Sequence, residues 1–206
     1  MRLLLARHAR TASNVAALLD TAPPGPELDV VGMAQAATLA ERLAGQRIEA
    51  VYSSDLVRAV QTGVPAVRAF GVPHHELIQL REIGAGQDEM SPDLQRYVMA
   101  LRSWGEGDHG VRIVGGEDGL EFLDRFSQGI RRVAEGGHDV ALVVSHGAAI
   151  RTWAGFVMPE VHRILGAGGL PNTTVIVADG DPEAGWVLRG IDFPAPDPED
   201  GWANLR

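Results

Sequence analysis

The sequence predicts an α/β fold: a three-layer α/β/α sandwich with a mostly parallel central sheet. Three observations carry this. Short apolar runs alternate with amphipathic segments along the whole chain, the pattern of strand–helix–strand units. One run, DVALVVS, is almost wholly apolar, as a strand buried on both faces of a parallel sheet should be. Polar or glycine-bearing stretches follow directly on the apolar runs, where loops leave a sheet.

Taken in order, RLLLAR reads as a short buried strand and ASNVAALLD as a short helix. The paired prolines of TAPPGPELD predict a loop. Apolar residues at helical spacing in VVGMAQAATLAERLAG predict a helix that stops at Gly45. IEAVY is the second strand. DLVRAVQTGVPAVRAF reads as a helix capped by Ser53, Ser54 or Asp55, with Pro65 expected to kink or interrupt it. HELIQL is the third strand candidate, REIGAGQDEMSP a loop, PDLQRYVMALRSW a helix and GEGDHGVRIVGG a second loop. EDGLEFLDRFSQGIRRVAE is a long amphipathic helix whose acidic first turn suits the helix dipole. DVALVVS is the next strand and HGAAIRTWAGFVM returns to helix. TTVIVAD and GWVLRG predict a closing hairpin around GDPEAG. The acidic, proline-rich tail, residues 192–206, is expected to be irregular. With no repeat and no linker, residues 1–206 read as one domain.

Composition narrows the function. The chain has 206 residues, 45% of them hydrophobic, enough to bury a core. It has no cysteine, which excludes a disulfide scaffold, a thiolate nucleophile and a sulfur-ligated zinc site. The first strand begins at residue 2, leaving no room for a signal peptide, and no apolar run reaches the ~18 residues of a membrane helix. The expectation is a soluble cytoplasmic protein with no membrane partner. A net charge of −9 without a basic face argues against nucleic acid. All 18 basic residues are arginines, so a site for an anion cannot use lysine.

The chemistry-bearing residues gather just past strand ends. Arg7 and His8 follow the first strand, with Arg10, Thr11 and Asn14 close behind. Ser53, Ser54 and Asp55 follow the second, and Arg58 lies one turn into the next helix. Glu82 follows the third; Ser145, His146 and Gly147 follow the most apolar one. Ligand crevices of open α/β sheets lie outside the carboxyl ends of strands. Singly, each has a plainer reading: His8 as a loop residue, Arg58 as an exposed helix charge, Glu82 as a solvated neighbour of Arg81. The turn at His146 is more telling, because a helix N-terminus there offers bare amides to an anion.

These stretches resemble the motifs of the histidine phosphatase superfamily, also called phosphoglycerate-mutase-like. ARHARTASN is similar to its Arg-His-Gly-x-Thr-x-x-Asn opening, SSDLVRAVQT to its Ser-Ser-x-Leu-x-Arg-Ala-x-x-Thr segment, and LREIGAG to its Leu-x-Glu-x-x-x-Gly segment. GGED resembles its Gly-Gly-Glu-Ser turn and VVSHGAAIR its Ser-His-Gly-x-x-Ile-Arg segment; PNTTVIV also fits. All occur in the family's order and span essentially the whole chain. Three departures stand out: Ala9 replaces the glycine after the first histidine, GQDEM (Gly86 to Met90) replaces Gly-x-Trp-Glu-Gly, and Asp118 replaces the serine of the Gly-Gly-Glu-Ser turn.

The resemblance implies a phosphoglycerate-mutase-like sheet with residues 84–115 as a lid insertion. It implies that His8 is the nucleophile, forming a phosphohistidine, with its other ring nitrogen donating to a backbone carbonyl. Arg7 and Arg58 would hold the phosphoryl oxygens. A largely protonated His146 would stabilise them too, and Asn14, Gly147, Thr11 and Arg10 would add contacts. Glu82 would be the general acid. No metal or cofactor is implied, because cationic side chains take the place of a magnesium ion.

The expected function is therefore a metal-independent phosphatase acting on a small phosphomonoester, as monomer or homodimer. A phosphoglycerate mutase and a non-catalytic phospho-ligand-binding relative are the alternatives. Mutases of this family carry a longer insertion with added basic residues; residues 84–115 hold only Arg96, Arg102 and Arg112. A non-catalytic relative would be expected to lose one of the five main site residues, and Ala9 is its only mark. Other groups weigh less. His74 and His75 would point to opposite strand faces, against a metal pair. His138 reads as an exposed turn residue, and His109 and His162 have no partner motif. Arg151 reads as a structural ion-pair partner. Met90, Tyr97, Met99 and Trp104 read as core more than as a lid over the pocket.

Overall fold

Among the described residues, six strands form one sheet: β1 (Arg2–Arg7), β2 (Ala50–Ser53), β3 (His74–Glu76), β4 (Val140–Ser145), β5 (Val175–Asp181) and β6 (Gly185–Asp192), in the order β3-β2-β4-β1-β5-β6. The computed structural model describes residues 1–166, 168–197 and 199. β3, β2, β4 and β1 run parallel; β5 is antiparallel to β1, and β6 to β5. The helices are α1 (Ala12–Val15), α2 (Val30–Arg42), α3 (Val57–Phe70), α4 (Gln95–Gly105), α5 (Gly119–Glu135), α6 (Gly147–Val157) and α7 (Glu160–Leu165).

The period-2 alternation of β1 sorts its side chains between two cores. Leu3 and Leu5 join Val143, Phe122, Phe126, Ile150 and Trp153 under α5 and α6. Leu4 and Ala6 join Val51, Val144, Leu39, Ala59 and Ala66 under α2 and α3. This is the three-layer arrangement predicted from sequence. Register sets where the strands stop. Arg7 lies opposite Ser145 and Ser53 opposite Val144, so three central strands end level. The His8 amide donates to the Ser145 carbonyl (2.8 Å) and the Ser54 amide to that of Val144 (3.0 Å).

Several local expectations are corrected. Helix α3 runs through Pro65 without interruption. The carbonyl four residues earlier belongs to Gln61, half-exposed like Pro65 itself, so losing one helical donor is tolerated. Its start has no side-chain cap, because the three candidates bond elsewhere. Ser53 Oγ meets His74 Nε2 (2.9 Å), Ser54 Oγ meets His146 Nε2 (2.7 Å), and Asp55 accepts from Arg81 Nε (2.6 Å). HELIQL is a strand only over its first two residues. Only His74–Glu76 pairs with β2, and residues 78–80 turn into a 3₁₀ helix. Helix α7 was not expected. Strand β6 extends to Asp192, so the irregular tail begins one residue later than expected. Of that tail, residues 198 and 200–206 lie outside the described residues. Among the described residues, no helix is long and apolar enough to cross a membrane.

Candidate active site

The level strand ends open into a cavity of about 710 Å³. Arg7, His8, Thr11, Asn14, Arg58, Glu82 and Gly147 all line it. Four separated stretches of sequence thus contribute to one wall.

His8 is buried, and its Nδ1 lies 2.8 Å from the carbonyl oxygen of Ala9. A carbonyl only accepts, so the proton sits on Nδ1 and Nε2 keeps its lone pair. Arg58 Nε donates to that lone pair at 3.2 Å. Burial, then the Arg58 and Arg7 charges, hold His8 well below the ordinary imidazole range. His8 is therefore a neutral imidazole with one defined unprotonated nitrogen. Its ring centroid lies 5.1 Å from that of His146.

His146 is fully buried, with Nε2 on Ser54 and Nδ1 without a hydrogen-bond partner among the described residues. Burial, Arg58, His8 and Arg7 also hold it well below the ordinary range. The expectation of a protonated His146 is corrected for the protein's own groups: two guanidiniums nearby disfavour a third cation. Arg58 Nη1 is likewise buried without a partner among the described residues. Two buried nitrogens thus lack a partner among the described residues, and such groups call for an explanation. Arg7 spans the start of α6 and donates to the Leu170 carbonyl. A Cβ at Gly147 would stand 3.2 Å from Arg7 Nε, so glycine lets this guanidinium lie across the helix N-terminus.

Glu82 is held at the same helix end. It accepts from the amides of Ala149 (2.7 Å), Ala148 (3.2 Å) and its neighbour Ile83 (2.9 Å). Burial raises its pKa above the usual carboxylate value, and the three amides and Arg58 oppose that rise. Arg81 is committed to Asp55, which leaves Glu82 free of it. Arg125 clamps the turn from behind, donating to the carbonyls of Gln79 (2.8 Å) and Glu82 (3.3 Å).

The remaining expected contacts divide. Thr11 and Asn14 line the cavity but also form the capping box of α1. Asn14 Oδ1 accepts from the Thr11 amide (3.1 Å) and from Asn172 Nδ2 (3.2 Å). Arg10 does not line the cavity. Its side chain is buried against Asp29 (2.9 Å), Glu199 (2.6 Å) and Asp197 (3.5 Å), which correct its reading as a substrate contact. Asn172 was missed: it donates to the His8 carbonyl (2.8 Å) and fixes the loop. Its only sequence signal was the fit of PNTTVIV. His74 and His75 point to opposite faces, one on Ser53 and the other stacked on Tyr52.

The three departures have local explanations. Asp118 caps α5, accepting from the Glu121 amide (3.0 Å), a job serine and aspartate share. Glu89 of GQDEM accepts from the Thr21 (2.7 Å) and Ala22 (2.9 Å) amides, tying two cavity loops together. Met90 takes φ 61°, a left-handed conformation that glycine adopts more readily. Ala9 lies outside the left-handed region, and its buried methyl packs on Leu28 and Ala36. Ala9→Gly should therefore lower stability by roughly 1–2 kcal/mol, from a lost methyl and a freer unfolded backbone. Thermal melting checks the loss. Activity should not rise; a large gain would mean the methyl obstructs the site.

The family model of the histidine phosphatase superfamily, branch 1, matches residues 3–192. The chain belongs to the histidine phosphatase superfamily. Within it, the chain is 30% identical to the PE-PGRS family protein PE_PGRS11 of Mycobacterium tuberculosis, over 90% of this chain and 35% of that protein. The chain thus spans about a third of that relative. It is 29% identical to the metal-independent phosphoserine phosphatase of Arabidopsis thaliana, over 85% of this chain and 74% of that one. Among solved structures, a mycobacterial glucosyl-3-phosphoglycerate phosphatase superposes with TM-score 0.74 at 25% identity, covering 91% of this chain and 96% of that one. The superfamily assignment accounts for the order in which the strand-end residues occur.

Proposed function

We propose that the protein is a metal-independent phosphatase that hydrolyses a small phosphomonoester through a phosphohistidine on His8. The observation that carries this is the state of His8: neutral, with Nδ1 committed to Ala9 and the Nε2 lone pair met by Arg58 Nε, beside two guanidiniums in an open cavity. Nε2 attacks phosphorus, the ester P–O bond breaks, and Glu82 gives its proton to the departing oxygen. Water then attacks phosphorus, the P–N bond breaks, Glu82 takes back a proton and phosphate leaves. Arg7, Arg58 and the Gly147 amide stabilise the equatorial oxygens, where most catalysis of a loose transition state arises. A phosphoryl dianion would give Arg58 Nη1 its missing acceptor, and its charge beside His8 would favour the charged form of His146.

A mutase is the second reading, and the lid weighs against it. Arg96 pairs with Asp88 and Arg112 with Asp118 and Glu121, leaving Arg102 as the lid arginine that lines the cavity. A cytoplasmic location and a monomeric or homodimeric state complete the proposal.

The test is hydrolysis of p-nitrophenyl phosphate with and without EDTA, with phosphoglycerate mutase activity measured in parallel. Turnover unaffected by EDTA is expected. Abolition by EDTA overturns the mechanism, and mutase activity without hydrolysis selects the second reading. The pH profile has a predicted sign. His8 must be neutral, and its lowered pKa moves the acid limb below ordinary imidazole titration. Glu82 must be protonated, and its raised pKa carries the active form above the ordinary carboxylate range. For an alkyl phosphate, kcat/KM should therefore peak in mild acid and fall as Glu82 ionises. The profile is read after correction for the ester's own ionisation near about pH 6.

A further inference from the structure

The cavity continues well beyond the phosphoryl site. Its outer half lies between α4, α6 and α7, walled by Leu101, Trp104, Phe156 and His162. At about 710 Å³ the whole space suits a ligand much larger than phosphate. On that wall stands Arg151, one turn along α6 from Gly147. Four residues of helix separate the two by about 6 Å along the axis.

Arg151 was expected to make an ion pair, and it makes none among the described residues. Its guanidinium donates to the backbone carbonyls of Gly166 and Gly168, and its charge is half-buried without a carboxylate. By contrast, Arg2, Arg10, Arg42, Arg81 and Arg125 all pair with acids. A half-buried, uncompensated cation is costly unless an anion meets it. The acids that share the cavity are placed elsewhere. Asp20 accepts from Ser13 Oγ (2.6 Å), Glu82 sits on the α6 amides, and Glu106 is exposed at the end of α4. Arg102 lines the same half and adds a second cation to it.

Resting on the phosphatase reading, we propose that this outer half is a subsite for a second anionic group of the substrate, with Arg151 as its cation. The substrate class is then a phosphomonoester whose alcohol carries a carboxylate or a second phosphate, joined to a body that packs on the apolar wall. Both anions offer oxygens to a guanidinium, so the test separates them.

The experiment compares phenyl phosphate, 3-carboxyphenyl phosphate and benzene-1,3-diyl bisphosphate as substrates for the wild type, Arg151→Gln and Arg151→Lys. A charge-assisted contact should favour an anion-bearing ester over phenyl phosphate by roughly 10- to 100-fold in kcat/KM, mostly through KM. Whichever ester is favoured names the anion. Arg151→Gln should erase the preference while leaving phenyl phosphate nearly unchanged, and Arg151→Lys should restore part of it. If Arg151 only braces Gly166 and Gly168, all three esters fall together, and the subsite is overturned. It is equally overturned if the wild type shows no preference, or if the preference survives in Arg151→Gln. Failure to hydrolyse even phenyl phosphate overturns the phosphatase reading and this one with it.

Discussion

Replacing His8 with alanine should abolish hydrolysis, with a loss of roughly 10⁴- to 10⁶-fold, as when an enzyme loses its covalent nucleophile. The fold should survive. His8 donates nothing to either core, and its backbone bond to Ser145 is kept by alanine. The loss can therefore be read as chemistry by checking that melting changes little. The decisive readout is the intermediate. Alkaline quenching of the wild type during turnover should trap base-stable, acid-labile phosphate on one histidine, and His8→Ala should trap none. A variant retaining more than a small fraction of activity would move the nucleophile elsewhere, and His146 is the neighbouring candidate. The geometry argues against that, because His146 Nε2 is engaged by Ser54 and the ring does not line the cavity.

Glu82→Gln should separate substrates by leaving group. With an alkyl phosphate the departing oxygen needs a proton, and losing the acid should lower kcat/KM by about 10²–10⁴-fold. With p-nitrophenyl phosphate the first step should suffer far less. The second step still lacks its base, so nitrophenol should appear in a burst ahead of steady turnover. The alkaline fall of the pH profile should vanish as well. Equal losses on both esters would remove Glu82 from the acid role and leave it as a brace for the α6 N-terminus.

Much of the site is legible in the sequence for a physical reason. Apolar runs report burial, and strand ends report where a sheet opens. Arg7, His8, Arg58, Glu82, Asn14 and Gly147 can thus be placed at one edge from the order of residues alone. Side-chain commitments are less legible. Ser54 looks like a helix cap in sequence, yet it serves His146. Arg10 looks like a pocket cation, yet carboxylates up to 189 residues away in sequence claim it. Pro65 looks like a break, yet the affected carbonyl lies where exposure forgives it. Each miss concerns a choice among partners that only tertiary proximity decides. His109 and His162 illustrate this from the other side: without a motif they carry no signal, and the fold sets both on the cavity wall.

The common level at which β1, β2 and β4 end has a consequence for how this protein can change. Adding one residue to any of those strands would turn the following side chain to the opposite face of the sheet. His8, Ser54 or His146 would leave the cluster outright. The stretch from α4 to α5 and the loop after α7 carry no such alignment, and they build the outer wall. Natural variation can therefore rewrite which ester is accepted by small insertions and exchanges there, while the reacting centre tolerates almost none. The two capacities occupy different stretches of chain and can drift independently, which suits the scaffold to acquiring new substrates without first losing its chemistry.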